Sequence, residues 1–240
     1  MAIAAIGTLI GTPAFAADMA LKAPPPPPAW TWTGCYVGIA GGGTIGHESV
    51  VANTGPNIGT TVTTISPSGG IFGGTIGCNY QFSLFVIGVE DDLSWNARQG
   101  TVSDQKPFST TFSNSVSNTW LDTLRGRVGI AGNGAFLYAT GGAAFAGIQD
   151  SAAASPAVSV SSTTNVTGWT VGGGMEFMPF PNWSMKVEYL FVQFPTLTDA
   201  FNTFLPVGTF VGVNTRLSEN IIRAGVNWHF DLPAPLAAKF

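Results

Sequence analysis

The chain carries few charges and no long apolar run. Its 9 basic and 13 acidic residues make up 9% of the 240 residues, whereas about a quarter of an ordinary soluble domain is charged. No stretch reaches the roughly 18 consecutive apolar residues of a membrane-spanning helix. The net charge of −4 argues against a nucleic-acid partner, which would need a basic protein face. These absences leave two classes: a membrane β-barrel or an aggregation-prone soluble β protein.

Histidine and cysteine are also scarce, with two of each. We expect His47 and His229 at opposite ends of the molecule, where they cannot form one catalytic or metal site. His47 and Glu48 could bind a metal ion or serve a lipid-modifying enzyme, but an ordinary loop histidine is the simpler interpretation. The 31 glycines form no phosphate-binding loop and fall within strand patterns, where they relieve crowding. The sequence therefore predicts no enzyme, no metal and no cofactor.

The segment Asn220–Phe230 shows a regular alternation with a period of two. Successive side chains of a strand point to opposite faces. One face is apolar and the other mostly polar: Ile222, Ala224, Val226, Trp228 and Phe230 against Ile221, Arg223, Gly225, Asn227 and His229. A membrane barrel needs this pattern, with lipid outside and a filled lumen inside. Aromatic residues at the end of the strand favour a bilayer interface.

Seven further segments have strand patterns, which predicts an all-β fold: an eight-stranded antiparallel up-and-down transmembrane β-barrel. The predicted strands are residues 33–45, 69–80, 84–96, 118–130, 135–148, 166–178, 183–195 and 219–230. Each has about the length that crosses a bilayer when tilted. Tight turns alternate with long polar segments, at 81–83, 131–134 and 179–182 against 46–68, 97–117, 149–165 and 196–218. Short periplasmic turns and long outer loops are typical of bacterial outer-membrane barrels.

The same alternation places eight charged residues on inward faces. They are Glu90, Asp92, Glu176 and Glu188 together with Arg125, Arg127, Lys186 and Arg223. The interior of an eight-stranded barrel is only wide enough for its own side chains, so we expect these balanced charges to pair with one another. The set is either a selectivity filter or a structural plug, and we favour the plug.

Four residues on outward positions stand apart from the apolar belt. Asp91 and Asp122 would cost up to a few kcal/mol at mid-depth in lipid, so we expect them toward the outer ends of their strands or at a bulge. Cys35 and Cys78 fall near the periplasmic ends of the first two strands. They could form a disulfide, which the periplasm permits, if their Cα atoms lie within about 7 Å. Otherwise they are small apolar residues facing lipid.

The two ends of the chain indicate export. An apolar run over residues 2–10 and the small-residue site Ala14–Ala16 are typical of a secretory signal peptide, although no Lys or Arg precedes the run. We therefore assign residues 1–16 to a signal peptide and 17–31 to a proline-rich periplasmic linker, since consecutive prolines form an extended spacer. The barrel takes residues 32–230, and 231–240 form a periplasmic tail.

Six local motifs follow one another on consecutive strands. They are Trp32–Gly38, Gly88–Asp92, Leu124–Gly129, Tyr138–Gly142, Gly168–Gly172 and Asn182–Tyr189. In this order they resemble the small outer-membrane β-barrel protein family, related to OmpA and OmpX and often labelled "porin family", and especially its rhizobial-type immunogenic outer-membrane proteins. The chain departs from the family at Cys35, where an aromatic is usual, and in continuing past Phe230.

The resemblance implies a location, an assembly route and a role. It implies the outer membrane of a Gram-negative bacterium, with Arg223, Gly225, Trp228 and Phe230 similar to the signal that the outer-membrane assembly machinery reads. Phe240 is a weaker candidate for the recognised terminus.

Outer-membrane lipid and lipopolysaccharide are the expected surroundings, and host, phage or cell-surface ligands the expected loop partners. The implied role is non-enzymatic, in envelope integrity and surface interaction. The alternatives are a narrow porin for small solutes and a loop-based receptor, for example for haem, that uses aromatics such as Phe108, Phe112, Phe201, Phe204 and Phe210.

Overall fold

The chain folds into β-strands in a computed structural model that describes residues 31–52, 58–59, 61–103, 112–154, 159–199 and 213–230. The strands are β1 (Gly34–Ala52), β2 (Thr61–Ile65), β3 (Ser68–Phe82), β4 (Phe85–Ser103), β5 (Phe112–Gly132), β6 (Ala135–Ala154), β7 (Ser159–Phe180), β8 (Trp183–Gln193), β9 (Leu197–Asp199) and β10 (Val213–Phe230). Among these residues there is no helix long and apolar enough to cross a membrane.

Eight of the strands close into an antiparallel barrel. Neighbours in the order β1, β3, β4, β5, β6, β7, β8 and β10 are hydrogen bonded, and β10 pairs with β1 again. The closing ladder runs from the pair Cys35–Phe230 to the pair Ala52–Val213. The short strands β2 and β9 flank this seam by pairing with β1 and β10. The prediction of an eight-stranded antiparallel barrel is confirmed.

Three two-residue turns define one end of the barrel, which we call the turn end, and the opposite end is the loop end. Ser83, Asn133 and Asn182 lie in these turns with φ values of 57°, 49° and 64°. Gly134 follows Asn133 with φ 75°, so this turn has the two positive φ values that hairpins of type I′ require. The turns at 133–134 and 181–182 lie within the predicted segments, and the turn at 83–84 overlaps the predicted segment 81–83. All three are shorter than predicted, because the ladders continue almost to the turn residues.

The strands extend further at the loop end than predicted. β5 has 21 residues and β7 has 22, against about a dozen expected for each. The ladders continue to the pairs Ser103–Ser113 and Ala153–Ser159. The prediction ended the strands where the apolar alternation ends, but backbone pairing needs no lipid-facing side. The segments assigned to long loops therefore consist partly of paired strand, and two of them contain β2 and β9.

The period-two alternation separates lumen from exterior as predicted. Outward residues such as Val187 and Leu124 are about half exposed, and the belt carries aromatic residues such as Trp95 and Trp228. Asp91 and Asp122 also lie outward, but they are the seventh residue of β4 and the eleventh of β5. Their predicted position near the outer strand ends was therefore wrong, because the strands continue well beyond them. The bulges lie elsewhere, between Trp95 and Arg98 and next to Trp120.

Three of the predicted segments lie mostly outside the described residues. These are the signal peptide (1–16), the linker (17–31) and the tail (231–240), together with the alternative terminus Phe240. Four of the five loop aromatics proposed for haem, Phe108, Phe201, Phe204 and Phe210, lie outside them as well. These assignments stay predictions.

Candidate functional site

The lumen holds a layer of ionic side chains at mid-height of the barrel. All eight charged residues that the sequence placed inward are there, and none is more than 4% exposed. They come from β4 (Glu90, Asp92), β5 (Arg125, Arg127), β7 (Glu176), β8 (Lys186, Glu188) and β10 (Arg223). Alternation within each strand places these side chains on the inward face. Closure of the barrel then brings the charged residues of the five strands together in the lumen.

Arg125 contacts three carboxylates of this ionic layer. Its guanidinium donates to Glu90 at 2.5 Å, to Glu188 at 3.0 Å and to Asp92. Glu90 lies on the neighbouring strand, whereas Glu188 lies three strands away around the barrel. A guanidinium presents several donors in a fixed plane, so one arginine holds carboxylates from both sides of the lumen.

Two further pairs cross the lumen. Lys186 Nζ lies 2.9 Å from a Glu90 oxygen, and their strands β8 and β4 are opposite each other in the eight-strand ring. Arg223 reaches Asp92 across the lumen at 2.7 Å, and it also contacts Glu188 on the neighbouring strand at 2.6 Å. Charges taken out of water are expensive unless they are paired. The pairs Lys186–Glu90 and Arg223–Asp92 therefore link strands that share no backbone ladder, whereas Arg223 and Glu188 are opposite each other in the β8–β10 ladder.

An aromatic layer closes the lumen at the turn end. Trp32 is 1% exposed, and its ring lies 5.3 Å from that of Phe136 and 5.8 Å from that of His229. The Trp32 backbone N–H donates to Gln81 Oε1 at 2.8 Å. Trp32 precedes β1, and its side chain is directed into the barrel. Its ring therefore covers the lumen at the turn end.

Arg127 joins the aromatic layer to the ionic layer. Its guanidinium carbon lies 4.8, 5.2 and 5.1 Å from the ring centres of Tyr36, Phe136 and Tyr138, within cation–π range. The same group donates to Glu90 at 3.2 Å and to Glu176 at 3.1 Å. Sequence alternation assigned Arg127 to the lumen, but the three rings around it come from β1 and β6 and meet only through closure.

An apolar layer fills the lumen on the loop side of the charges. Its members are buried residues from six strands, together with Phe194, which follows β8: Ile71, Leu121, Ala144, Ala146, Val166, Leu190, Val192, Leu217 and Ile221. These apolar side chains pack against one another inside the barrel. The lumen is therefore occupied at three successive levels, aromatic, ionic and apolar.

The sequence missed several polar residues of the lumen. Glu219 is fully buried and accepts from Asn96 Nδ2 at 2.8 Å and from the hydroxyl of Thr44. Glu48, which the sequence placed in a loop, is 6% exposed within β1. The odd-residue parity of β10, followed back from Ile221, would have identified Glu219, whereas Glu48 lies beyond the strand end that the sequence indicated.

Three carboxylates of the ionic layer are close enough together for a metal ion. Oxygens of Glu90, Asp92 and Glu188 lie within 4.8 Å of one another. Each of them already accepts from arginine, and Arg125 contacts all three. Cationic nitrogens therefore occupy the positions that a metal would take, and we assign no metal to this group.

The two cysteines meet at the turn end of the barrel. Cys35 and Cys78 are opposite each other in the β1–β3 ladder and are joined by a disulfide, with Cα atoms 4.0 Å apart. The bridge lies on the outward side of the sheet, where Cys35 is 6% exposed. It links the first two barrel strands next to the closing seam.

The four residues of the proposed assembly signal are divided between the two faces of β10. Arg223 belongs to the ionic layer and Gly225 is inward, whereas Trp228 faces outward and is 45% exposed. The rings of Trp228 and Phe230 lie 5.6 Å apart. In the folded barrel these residues have structural contacts, and their recognition during assembly stays a prediction.

The two histidines are far apart. His229 pairs with Tyr36 and His47 with Ser218 in the β1–β10 ladder, and eleven residues along β1 correspond to about 35 Å. His229 Nε2 lies 2.8 Å from Ser184 Oγ and 3.7 Å from Glu176, buried under Trp32. His47 is exposed, with Ser66 Oγ 3.4 Å from its Nδ1. The two side chains therefore share no site.

Comparisons with known proteins agree with this architecture. Residues 2–230 match the family described as outer membrane protein beta-barrel domain. The 31 kDa outer-membrane immunogenic protein of Brucella melitensis biotype 1 is 28% identical over an alignment that covers 95% of this chain and 98% of that protein. The 22 kDa outer membrane protein of Rhizobium leguminosarum bv. viciae is 30% identical, with 71% and 68% covered.

A solved structure shares the fold. The outer membrane protease OmpT of Escherichia coli superposes with a TM-score of 0.55 at 10% identity, covering 85% of this chain and 99% of that one. Identity this low shows a common barrel and nothing about activity. Family match, relatives and closed barrel together confirm the resemblance that the six strand motifs indicated. The chain therefore belongs to the outer membrane protein beta-barrel domain family and is a protein of the Gram-negative outer membrane.

Proposed function

We propose that this protein is a non-enzymatic barrel whose lumen is a structural plug, and that it contributes to envelope integrity and surface interaction through its loop end. The observation that carries the proposal is the ionic layer. Its charges are balanced, buried and paired across the full width of the lumen, with Lys186 and Glu90 2.9 Å apart on opposite strands.

The layers on either side of the charges favour a plug over a selectivity filter. A filter needs a hydrated path that ions enter and leave. Here Trp32 and Phe136 cover the turn side, and apolar residues such as Leu121 and Leu190 fill the loop side. A solute would have to separate several cross-lumen ion pairs and both packed layers. These contacts support mechanical stability rather than conduction.

The arrangement of the histidines supports a non-enzymatic role. A general base must lie within hydrogen-bond reach of the proton that it removes from a substrate. His229 is beneath Trp32 in the packed lumen, and His47 has the exposed Ser66 hydroxyl beside it at 3.4 Å. Among the residues that the structure describes, neither histidine has a nucleophile and an orienting carboxylate in a cleft that is open to substrate.

Single-channel conductance of the refolded full chain in a planar lipid bilayer tests the plug. We expect a silent wild type and added current in Arg125→Ala and Arg127→Ala, because each substitution removes a group that links carboxylates across the lumen. Arg216→Ala is the matched control, since Arg216 is exposed at the loop end and its loss leaves the ionic layer intact.

Two outcomes would contradict the plug. Steady wild-type openings would make the ionic layer a selectivity filter and the protein a narrow porin. Current of equal size in Arg216→Ala and Arg125→Ala would assign the leak to the refolding procedure rather than to the lumen. A haem titration, followed by the absorbance of the bound haem, tests the receptor alternative separately.

A further inference from the structure

Basic side chains are divided unequally between the lumen and the exterior of the barrel. Of the side chains that the structure describes, five basic ones are buried in the lumen: Arg125, Arg127, Lys186, Arg223 and His229. The other two, His47 and Arg216, are exposed on the outside of the barrel. These two exterior residues belong to adjacent strands, β1 and β10, and both lie at the loop end.

The register makes His47 and Arg216 diagonal neighbours. His47 is opposite Ser218, and Ser49 is opposite Arg216, in the β1–β10 ladder. All four residues alternate with lumen residues such as Leu217, which is 2% exposed, so the four share the outward face. Diagonal side chains on one face of a sheet start about 7–8 Å apart. A single anionic group between them can therefore contact both basic side chains.

Neighbouring polar groups leave several hydrogen-bond donors available here. Among the described residues, Arg216 has no ion pair or hydrogen bond. Ser66 Oγ lies 3.4 Å from Nδ1 of His47, which leaves Nε2 for another partner. Asn220 Oδ1 accepts from the Tyr189 hydroxyl at 2.7 Å, which leaves the Nδ2 group as a donor. We refer to four residues together as the outer basic patch: His47, Ser49, Arg216 and Asn220.

Alternation keeps acidic groups away from the outer basic patch. Glu48 and Glu219 are sequence neighbours of patch residues, but their side chains are 6% and 0% exposed inside the barrel. The exterior carboxylates of the described part of the chain, Asp91 and Asp122, belong to β4 and β5. Neither of these strands pairs with β1 or β10. The exterior of the β1–β10 seam is therefore positive at the loop end, which favours an anionic ligand.

The outer basic patch begins where the lipid-facing belt ends. On β1, the outward residue on the turn side of His47 is Ile45, which is 60% exposed. On β10, the outward residue on the turn side of Asn220 is Ile222, which is 63% exposed. Tyr189, whose hydroxyl contacts Asn220, is a residue type that is enriched at the boundary between membrane and water. The patch therefore lies at the height of lipid head groups.

We propose that the outer basic patch binds the phosphate of a phosphorylated glycolipid of the outer leaflet, of the lipopolysaccharide kind. The Arg216 guanidinium matches a phosphate with two parallel N–H donors, and the acyl chains lie along Ile45 and Ile222. A soluble phosphate would leave these apolar residues uncovered, whereas a lipid contacts both them and the patch. The proposal deepens the envelope-integrity part of the proposed function and rests on the loop end facing outward, as long loops do in this class of barrel.

A lipid titration of the refolded full chain tests this site. The probe is bisphosphorylated lipid A, and binding is measured by native mass spectrometry in detergent micelles, with EDTA present so that divalent cations do not cover the phosphates. We expect saturable binding of lipid A, and about tenfold weaker binding of the same lipid without its phosphates. Inorganic phosphate at the concentration of the lipid should not displace lipid A, because it has no acyl chains to contact the belt.

Substitutions in the outer basic patch separate its contacts from general attraction to the barrel. Arg216→Gln should weaken lipid A binding about tenfold, whereas Arg216→Lys keeps the charge without the planar fork of donors and should lose about threefold. His47→Ala and Asn220→Ala should each lose about threefold. Asn165→Ala is the matched control, because it makes the same change at an exposed position of β7 and should bind as wild type does. The heat-dependent shift of the barrel on a denaturing gel verifies that each variant is folded.

Four results would overturn the proposal: no binding of lipid A to the folded wild type, equal binding of the lipid without phosphates, displacement by inorganic phosphate at the lipid concentration, or equal affinities of Arg216→Gln and Asn165→Ala. None of these results bears on the lumen, because the plug is tested by current. Arg216→Ala should stay silent in the planar bilayer and still bind lipid A less tightly. Failure of lipid binding and failure of the plug are therefore distinguishable.

Discussion

The lumen and the lipid-facing surface are built by alternate residues of the same strands, yet they are stabilised differently. In the lumen, the charges of the ionic layer have specific partners, as Arg125 has in Glu90 and Glu188. On the outside, residues such as Val187 and Ile222 share only apolar character and exposure. Lipid accepts any apolar side chain of suitable size, whereas a buried carboxylate needs a cation at hydrogen-bond distance.

This difference predicts unequal tolerance to substitution. An exterior position requires only an apolar side chain, so exchanging one apolar residue for another there should hardly change the free energy of unfolding. A lumen position requires one particular residue in one geometry, because its partners come from strands that are distant in sequence. Two features of the exterior are not simply apolar: the disulfide Cys35–Cys78 and the acidic pair Asp91 and Asp122.

The largest effect is expected from breaking the ionic layer. Arg125→Ala leaves Glu90, Asp92 and Glu188 without their shared guanidinium, and removal of one partner from a buried ion pair costs about 3–5 kcal/mol. The free energy of unfolding, from urea titration in lipid vesicles with tryptophan fluorescence as the signal, should fall by that amount. The double variant Arg125→Ala/Asp92→Ala should recover part of the loss, and no recovery would contradict coupling between the two residues.

A smaller loss is expected from opening the covalent link on the exterior. The disulfide joins residues separated by 43 positions, and closure of a loop of this size contributes about 2–4 kcal/mol through the unfolded chain. The double variant Cys35→Ser/Cys78→Ser should lose this stability in the same titration. Wild type under reducing conditions is the control, and it should match the variant once reduction is complete. A loss below about 0.5 kcal/mol would contradict the entropic account.

A charge on the apolar belt should cost less again. Val187 lies midway along β8 between Trp183 and Phe191 and is 52% exposed. Val187→Asp should lower the free energy of unfolding by about 2 kcal/mol, since acidic residues cost less than basic ones at mid-depth in lipid. Val187→Thr has the same shape without the charge and should lose less than half as much. Equal losses would show that packing rather than charge sets the tolerance of the belt.

The smallest effect should be an increase in stability when the acidic pair Asp91 and Asp122 is removed. Asp91 and Asp122 are diagonal neighbours on β4 and β5, because Asp91 is opposite Leu124 and Asp122 is opposite Leu93. Two neighbouring carboxyls on a lipid-facing surface are unfavourable. Asp122→Leu should therefore raise the free energy of unfolding by about 1 kcal/mol. The inward neighbour Thr123 provides the control, because Thr123→Leu inserts the same side chain into the packed lumen and should destabilise. A loss of stability in Asp122→Leu would mean that the pair itself is favourable.

Much of the site followed from the period-two alternation. Parity alone placed Glu176, Lys186 and Arg223 in the lumen, because the two faces of a strand are fixed by local geometry. Parity could not give the pairing of Lys186 with Glu90, since the two residues are 96 positions apart and meet across the barrel. Glu48 was missed for another reason: the apolar alternation ends before it, while the backbone ladder continues.

The sequence by itself determined the strand faces, the turn positions and the identity of the charged lumen residues, because each depends on neighbours within a few residues along the chain. Only the tertiary structure decided which charges pair, how Trp32 covers the lumen, that Cys35 meets Cys78, and that the β7–β8 ladder ends at the pair Trp169–Gln193. These features depend on register and closure among strands distant in sequence. Register is fixed when whole faces pack together, and a barrel closes only when all eight ladders agree.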